Sequence, residues 1–110
     1  MRRVDEAIRE VVSDALQTEF QDPRIGFVTV TSVDTSPDLR NARVWVTVLG
    51  DEEQRGEALA ALRAGHGRLQ AAIGRSLNLK YTPELDIRYD DSVDRGMRVD
   101  RLIGEQGEEQ

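Results

Sequence analysis

Hydrophobic residues recur at helical spacing near the start of the chain: Val4, Ala7, Ile8, Val11, Val12, Ala15 and Leu16. That period puts them on one stripe and predicts an amphipathic helix over residues 3–20. "QDPRIG" ends it, because proline disfavours helical geometry at the residue before it. "FVTVTSV" then alternates, with Phe27, Thr29 and Thr31 opposite Val28 and Val30, as a half-buried strand does. "DTSPDLRN" is turn chemistry. "ARVWVTVL" alternates again, setting Ala42, Val44, Val46 and Val48 against Arg43, Trp45 and Thr47. Two strands so joined most simply form an antiparallel hairpin. Asp51 suits the start of a second helix that begins near Glu53. "YTPELDIRY" sets Leu85, Ile87 and Tyr89 against Glu84, Asp86 and Arg88, a third strand with Pro83 fit for its first residue. "DDSVDRGMRVDRLI" predicts a short C-terminal helix capped by Ser92 and weakened by Gly96. "GEQGEEQ" reads as a disordered acidic tail. The pattern fits an α+β domain over residues 1–103, with helices on one face of a three-stranded sheet, and a tail over 104–110.

The second helix contains a contradiction. On a helical wheel Leu59, Leu62, Leu69, Ile73 and Leu77 fall in one stripe about 80° wide. His66, the chain's sole histidine, falls in the middle of that stripe, between Gly65 and Gly67. A straight helix would push the imidazole into the core, where a polar ring without partners costs a few kcal/mol. Each glycine in a helix interior costs roughly 1 kcal/mol relative to alanine. A kink at 65–67 resolves both difficulties and is expected to turn His66 outward at the joint. Such a break leaves unbonded N–H groups with partial positive charge at the start of the second piece, a ready place for phosphate.

Charge sharpens this picture. The 110-residue chain carries a net charge of −6, yet residues 63–82 hold Arg63, Arg68, Arg75 and Lys80 and no acid. Arg68 and Arg75 are seven residues apart and share a helix face away from the leucines. Arg63 precedes the break and Lys80 follows the second piece. Two readings fit. Either the glycines mark close packing and the arginines are merely solvated, or the kink and the basic ridge grip a polyanion. Composition bounds the rest. The absence of cysteine excludes disulfides, thiolate catalysis and cysteine-ligated zinc. No apolar run approaches the ~20 residues of a membrane span, and "MRRVDEAIRE" lacks the apolar stretch of a secretory signal. A cytosolic chain with no cofactor, no metal and no membrane partner is expected.

Other candidates carry less. His66 has no nucleophile at recognisable spacing, so no catalytic residue is assigned. Asp90, Asp91 and Asp94 lack the spacing and terminal glutamate of a calcium loop, and fit the lead-in to the last helix. Trp45 suits either a base-stacking platform or a cover for the strand edge. Arg2 and Arg3 stand where flexible basic ends either touch RNA or simply solvate. The single literal GXXG, Gly104 to Gly107, lies in the acidic tail.

"SPDLRNARVWVTVLG", "LRAGHGRLQ", "LKYTPEL" and "DDSVDRGMR" stand in the order and spacing of the ribosome-binding factor A family, which the chain resembles over about residues 2–103. The resemblance implies a KH-like domain of type II, α-β-β-α-kink-α-β, whose kink is usually alanine-any-glycine. Here Gly65, His66 and Gly67 match it, and glycine in place of alanine is expected to loosen the joint. It implies a monomeric, non-enzymatic factor that binds the free 30S subunit and 16S rRNA, with ribosomal proteins sharing the contact. Late subunit maturation, processing at the 5′ end of 16S rRNA and growth in the cold are the implied roles. Arg63, Gly65, His66, Gly67, Arg68, Arg75 and Lys80 are the expected RNA-binding residues. The rival is a protein-interaction module with an α+β sheet and no RNA contact; an RNA hydrolase ranks behind both.

Overall fold

The alternating segments pair into one sheet of β1 (Val28–Thr35), β2 (Asn41–Val48) and β3 (Glu84–Tyr89), in the order β1-β2-β3. A computed structural model describes residues 3–92 of the chain. The β1–β2 pair is the expected antiparallel hairpin, whereas β3 runs parallel to β2. A parallel neighbour needs a long crossover, which the two helical pieces between β2 and β3 supply. The four expected inward residues of β2, Ala42, Val44, Val46 and Val48, are all buried.

In β1, plain alternation fails halfway. Val30 faces Val46 but Ser32 faces Trp45, so Thr31 is an extra residue, a β-bulge. Strict alternation would have sent Val33 to the face opposite Val30; the bulge buries Val28, Val30 and Val33 together. The Thr31 hydroxyl lies 2.8 Å from an Asp90 carboxylate oxygen, so the bulge is also tied to the end of β3. Phe27 is not in the strand. It ends a 3-10 turn, Pro23–Phe27, and is half exposed. Asp22 caps that turn by accepting the Arg24 N–H, and proline at its first position loses no needed donor.

The first helix, α1 (Arg3–Thr18), ends two residues before the expected Phe20. Leaving the helix lets the Phe20 ring pack into the core beside Leu16 and Ile25. A contact unforeseen from the sequence pins the other end of α1. The buried Asp5 carboxylate accepts both the Thr35 N–H, at 3.1 Å, and its hydroxyl, joining the first turn to the end of β1. α2 (Glu52–Ala64) starts at Asp51 as expected, through a capping box in which Asp51 and Gln54 exchange 2.8 Å bonds. α3 (His66–Ser76) completes the helical layer. Leu59, Leu62, Leu69 and Ile73 are buried as the wheel predicts, and Leu77 is half-buried beside them. At roughly 1.5–3 kcal/mol for each fully buried leucine or isoleucine, this stripe holds both pieces to the sheet despite the break.

None of the described helices is long and apolar enough to cross a membrane, and the described residues contain no group suited to hold a metal ion. The expected C-terminal helix, Asp94, Gly96, Arg2 and the tail over 104–110 lie outside the described residues. Before that boundary, the Asp90 carboxylate accepts the Ser92 N–H at 2.9 Å.

Candidate nucleic-acid interface at the helical joint

The predicted break is present, and one residue makes it. Gly65 donates its N–H to the carbonyls of Ala61 and Leu62, at 3.0 and 3.1 Å, closing α2. Its own carbonyl accepts from Arg68 and Leu69, at 3.0 and 3.2 Å, opening α3. No side chain caps α3. Among the described residues, the amides of His66 and Gly67 have no backbone acceptor, so the dipole of α3 is uncompensated there.

The structure explains why glycine stands at 65. Its φ of −92° and ψ of 12° are open to other residues, so conformation is not the reason. A Cβ at this position would overlap the Phe20 ring. The expectation of a loosened joint is therefore corrected: Phe20 fills the place an alanine methyl would take and wedges the corner. Gly67 is the opposite case. It is exposed, and a Cβ would meet nothing within 4 Å. Nothing inside the protein requires glycine there. What it leaves open is the approach to the start of α3.

His66 sits at the joint but does not turn outward as expected. It is half-buried, and its Nε2 lies 2.9 Å from the Leu85 carbonyl, to which it must donate. The imidazole needs a polar partner, and β3 supplies one at the edge of the core. It thereby links the joint to the sheet. Gln70, one turn on, extends the link by donating to the Pro83 carbonyl at 3.1 Å and accepting the Leu85 N–H at 2.6 Å.

The basic residues separate into distinct environments. Arg63 is exposed and, with His66, Leu85, Asp86 and Ile87, lines a shallow hollow of about 200 Å³ on the β3 side of the joint. Asp86 in that hollow is held by Arg88 at 3.0 Å and Arg43 at 3.8 Å, which offset its charge. On the other side a hollow of about 320 Å³ is lined by Phe20, Asp22, Arg24, Ala64, Gly65 and Arg68, among others. Arg68 is exposed, with its guanidinium 5.6 Å from the centre of the Phe20 ring. Arg75 shares the exposed face of α3 but pairs with Glu19 at 2.7 Å. Lys80 stands four residues beyond Ser76, beside Tyr81, and does not adjoin the start of α3 along the helix.

Arg24 is a basic residue of this surface that the sequence reading missed. It forms a two-pronged pair with Asp22, whose side-chain hydrogen bonds, with the Arg24 backbone N–H second, draw the Asp22 carboxyl from 3.8 down to about 2. An Asp-Pro pair is itself the signature of a helix start, and it was the available signal that "DPR" forms a turn beside the joint. The arrangement offers two uncompensated amides, an unobstructed glycine and arginines on either side. It holds no nucleophile–base pair. Such an arrangement is chemically able to take an anion.

Comparison with known proteins agrees with the motifs. The family model described as ribosome-binding factor A matches residues 1–103. Ribosome-binding factor A of Halothermothrix orenii is 42% identical over 109 residues, 99% of this chain and 89% of that protein. The Geobacter sulfurreducens factor is 43% identical over 103 residues, covering 94% and 87%. Among solved structures, a Thermotoga maritima protein described as a putative ribosome binding factor A has a TM-score of 0.71 at 33% identity, over 81% of this chain and 85% of its own. The crystal structure of the Thermus thermophilus factor gives 0.69 at 28% identity, over 78% and 90%. A homology model of the Thermus factor, fitted into a cryo-EM map of its complex with the 30S subunit, gives 0.69 at 26% identity, over 84% and 97%. With the family model matching residues 1–103 and these relatives 42% and 43% identical over nearly the whole chain, the chain belongs to the ribosome-binding factor A family.

Proposed function

We infer that the chain binds the free 30S subunit through 16S rRNA at the α2–α3 joint, and assists late maturation of the subunit, including processing at the 5′ end of that rRNA. It acts in the cytoplasm as a monomeric binding factor without cofactor or catalytic step, and supports growth in the cold. Family membership and the 30S complex of the Thermus relative support the partner. The observation that carries the residue assignment is the exposed Gly67 at the start of α3, flanked by Arg63 and Arg68 in a chain of net charge −6. Phosphate oxygens would meet the His66 and Gly67 amides while the arginines supply charge. Few phosphates are neutralised, so random RNA should bind weakly and the shape of the rRNA site should set affinity.

The test substitutes Arg68 and Arg75 together by glutamate. Circular dichroism should be unchanged, because both side chains are exposed, and co-sedimentation with free 30S subunits should be lost. Undiminished co-sedimentation would remove the basic surface from the interface. A second reading has one observation in its favour. Phe27 and Leu49 are exposed by 50% and 75% and adjoin through a 3.0 Å bond between the Leu49 N–H and the Phe27 carbonyl. Such an apolar pair suits a protein partner, a ribosomal protein included. Salt separates the two, since phosphate contacts weaken steeply as salt rises and apolar contacts do not.

A further inference from the structure

Tyr81 is exposed by 50%, the largest exposure of any aromatic residue described apart from the equally exposed Phe27. Its surroundings differ from those of Phe27. The Arg40 guanidinium carbon lies 4.7 Å from the centre of the Tyr81 ring, and the Lys80 ammonium lies 5.5 Å from it. Two cations from separate segments therefore lie close to one exposed ring, which stands in the acid-free stretch of an acidic chain.

The placement is built. Pro83 is buried, and the Gln70 amide grips its carbonyl and the Leu85 N–H, so the loop carrying Tyr81 is fixed against α3. The Glu84 N–H donates to the Arg40 carbonyl at 2.8 Å, which holds the Arg40 segment beside the same loop. The nearest acid on that segment, Asp38, is engaged by the Ser36 hydroxyl at 2.7 Å and the Arg40 N–H at 3.1 Å. The Arg40 guanidinium lies over the ring, close enough to the Asp38 carboxylate to help hold it ionised.

An aromatic face bordered by cations suits one ligand class above others. A nucleobase stacks on the ring, and the phosphates on either side of it need positive partners. A duplex cannot use such a ring, because its bases are already stacked. We propose that Tyr81, Arg40 and Lys80 form a stacking station for one unpaired base of the bound rRNA, separate from the phosphate corner at Gly65–Gly67. Lys80, the more distant and flexible of the two cations, swings to the adjoining phosphate and yields its face of the ring to the base. Arg40, being planar, stays stacked. The station rests on the rRNA-binding reading above and adds what that reading lacks, a contact to a base and not to the backbone.

Binding of free 30S subunits to Tyr81→Phe and Tyr81→Leu chains, each measured across a salt series, tests it. Both variants should fold, since the side chain is half in solvent. Tyr81→Leu should bind roughly 5- to 150-fold more weakly, the range for one lost stack, with the salt slope of the wild type. Tyr81→Phe, which keeps the ring, should bind as the wild type does. Equal binding by Tyr81→Leu would overturn the station while leaving the phosphate corner standing. Equal weakening by both variants would assign the loss to the hydroxyl and overturn it too. Failure of the wild-type chain to bind the subunit at all would instead remove the reading beneath it.

Discussion

The two glycines on either side of His66 do different work at the joint, and substitution separates them. Gly65→Ala puts a methyl group into the Phe20 ring, and overpacking of this kind costs about 1–3 kcal/mol. Urea unfolding should register that loss, and the loss should shrink in a Phe20→Leu background, where the ring is gone. Gly67→Ala should do the reverse. Its Cβ enters open space in a helical turn, so stability should rise by about 1 kcal/mol. If Gly67 serves the approach of a phosphate, the more stable protein should bind the subunit less well. A variant that gains stability and keeps full binding would return Gly67 to ordinary surface.

At the scale of elements, the Arg75–Glu19 pair joins α3 to the end of α1. Arg75 is largely solvated and Glu19 half-buried at the surface, so the pair contributes little to stability, and its effect is to occupy a cation. Glu19→Gln should therefore strengthen association with 30S subunits at low salt and steepen its salt dependence, with little change in melting. Unchanged binding would mean that Arg75 does not reach the rRNA. The pairing also marks where the sequence stopped being legible. Helical period, alternation and capping residues located the α-helices and strands, because they express local backbone geometry, whereas the 3-10 turn Pro23–Phe27 was read only as a helix stop. The break at Gly65 was legible because a histidine inside a leucine stripe has no good straight-helix solution. The bulge at Thr31, the parallel pairing of β3 and the links Asp5–Thr35 and His66–Leu85 were not. Each joins residues far apart in the chain, and no local period records such a contact. The basic residues proposed for the joint were picked out by charge and spacing; Arg24, which lines the hollow beside Gly65, was not, because a turn folding back brings it there.

For the whole molecule, the charge is divided by segment. The acid-free stretch 63–82 runs through α3 and the loop after it, while α1 and the start of α2 carry Glu6, Glu10, Asp14, Glu52, Glu53 and Glu57, and the uncovered face of the sheet mixes Asp34, Glu84 and Asp86 with Arg43 and Arg88. A net-negative chain so divided should be repelled by RNA in most orientations and accepted in one, which favours a specific site over random binding. The orientation can be read directly, because the chain has no cysteine and a single one can be placed at will. Iron-EDTA tethered to Ala64→Cys, beside the joint, and to Asp34→Cys, exposed on the uncovered sheet face, would cleave whatever RNA lies near each position. In complexes with free 30S subunits, strong local cleavage of 16S rRNA from position 64 and weak cleavage from position 34 is the expected result. Cleavage from position 34 with none from position 64 would place the rRNA on the wrong side of the molecule and contradict the assignment of the helical joint.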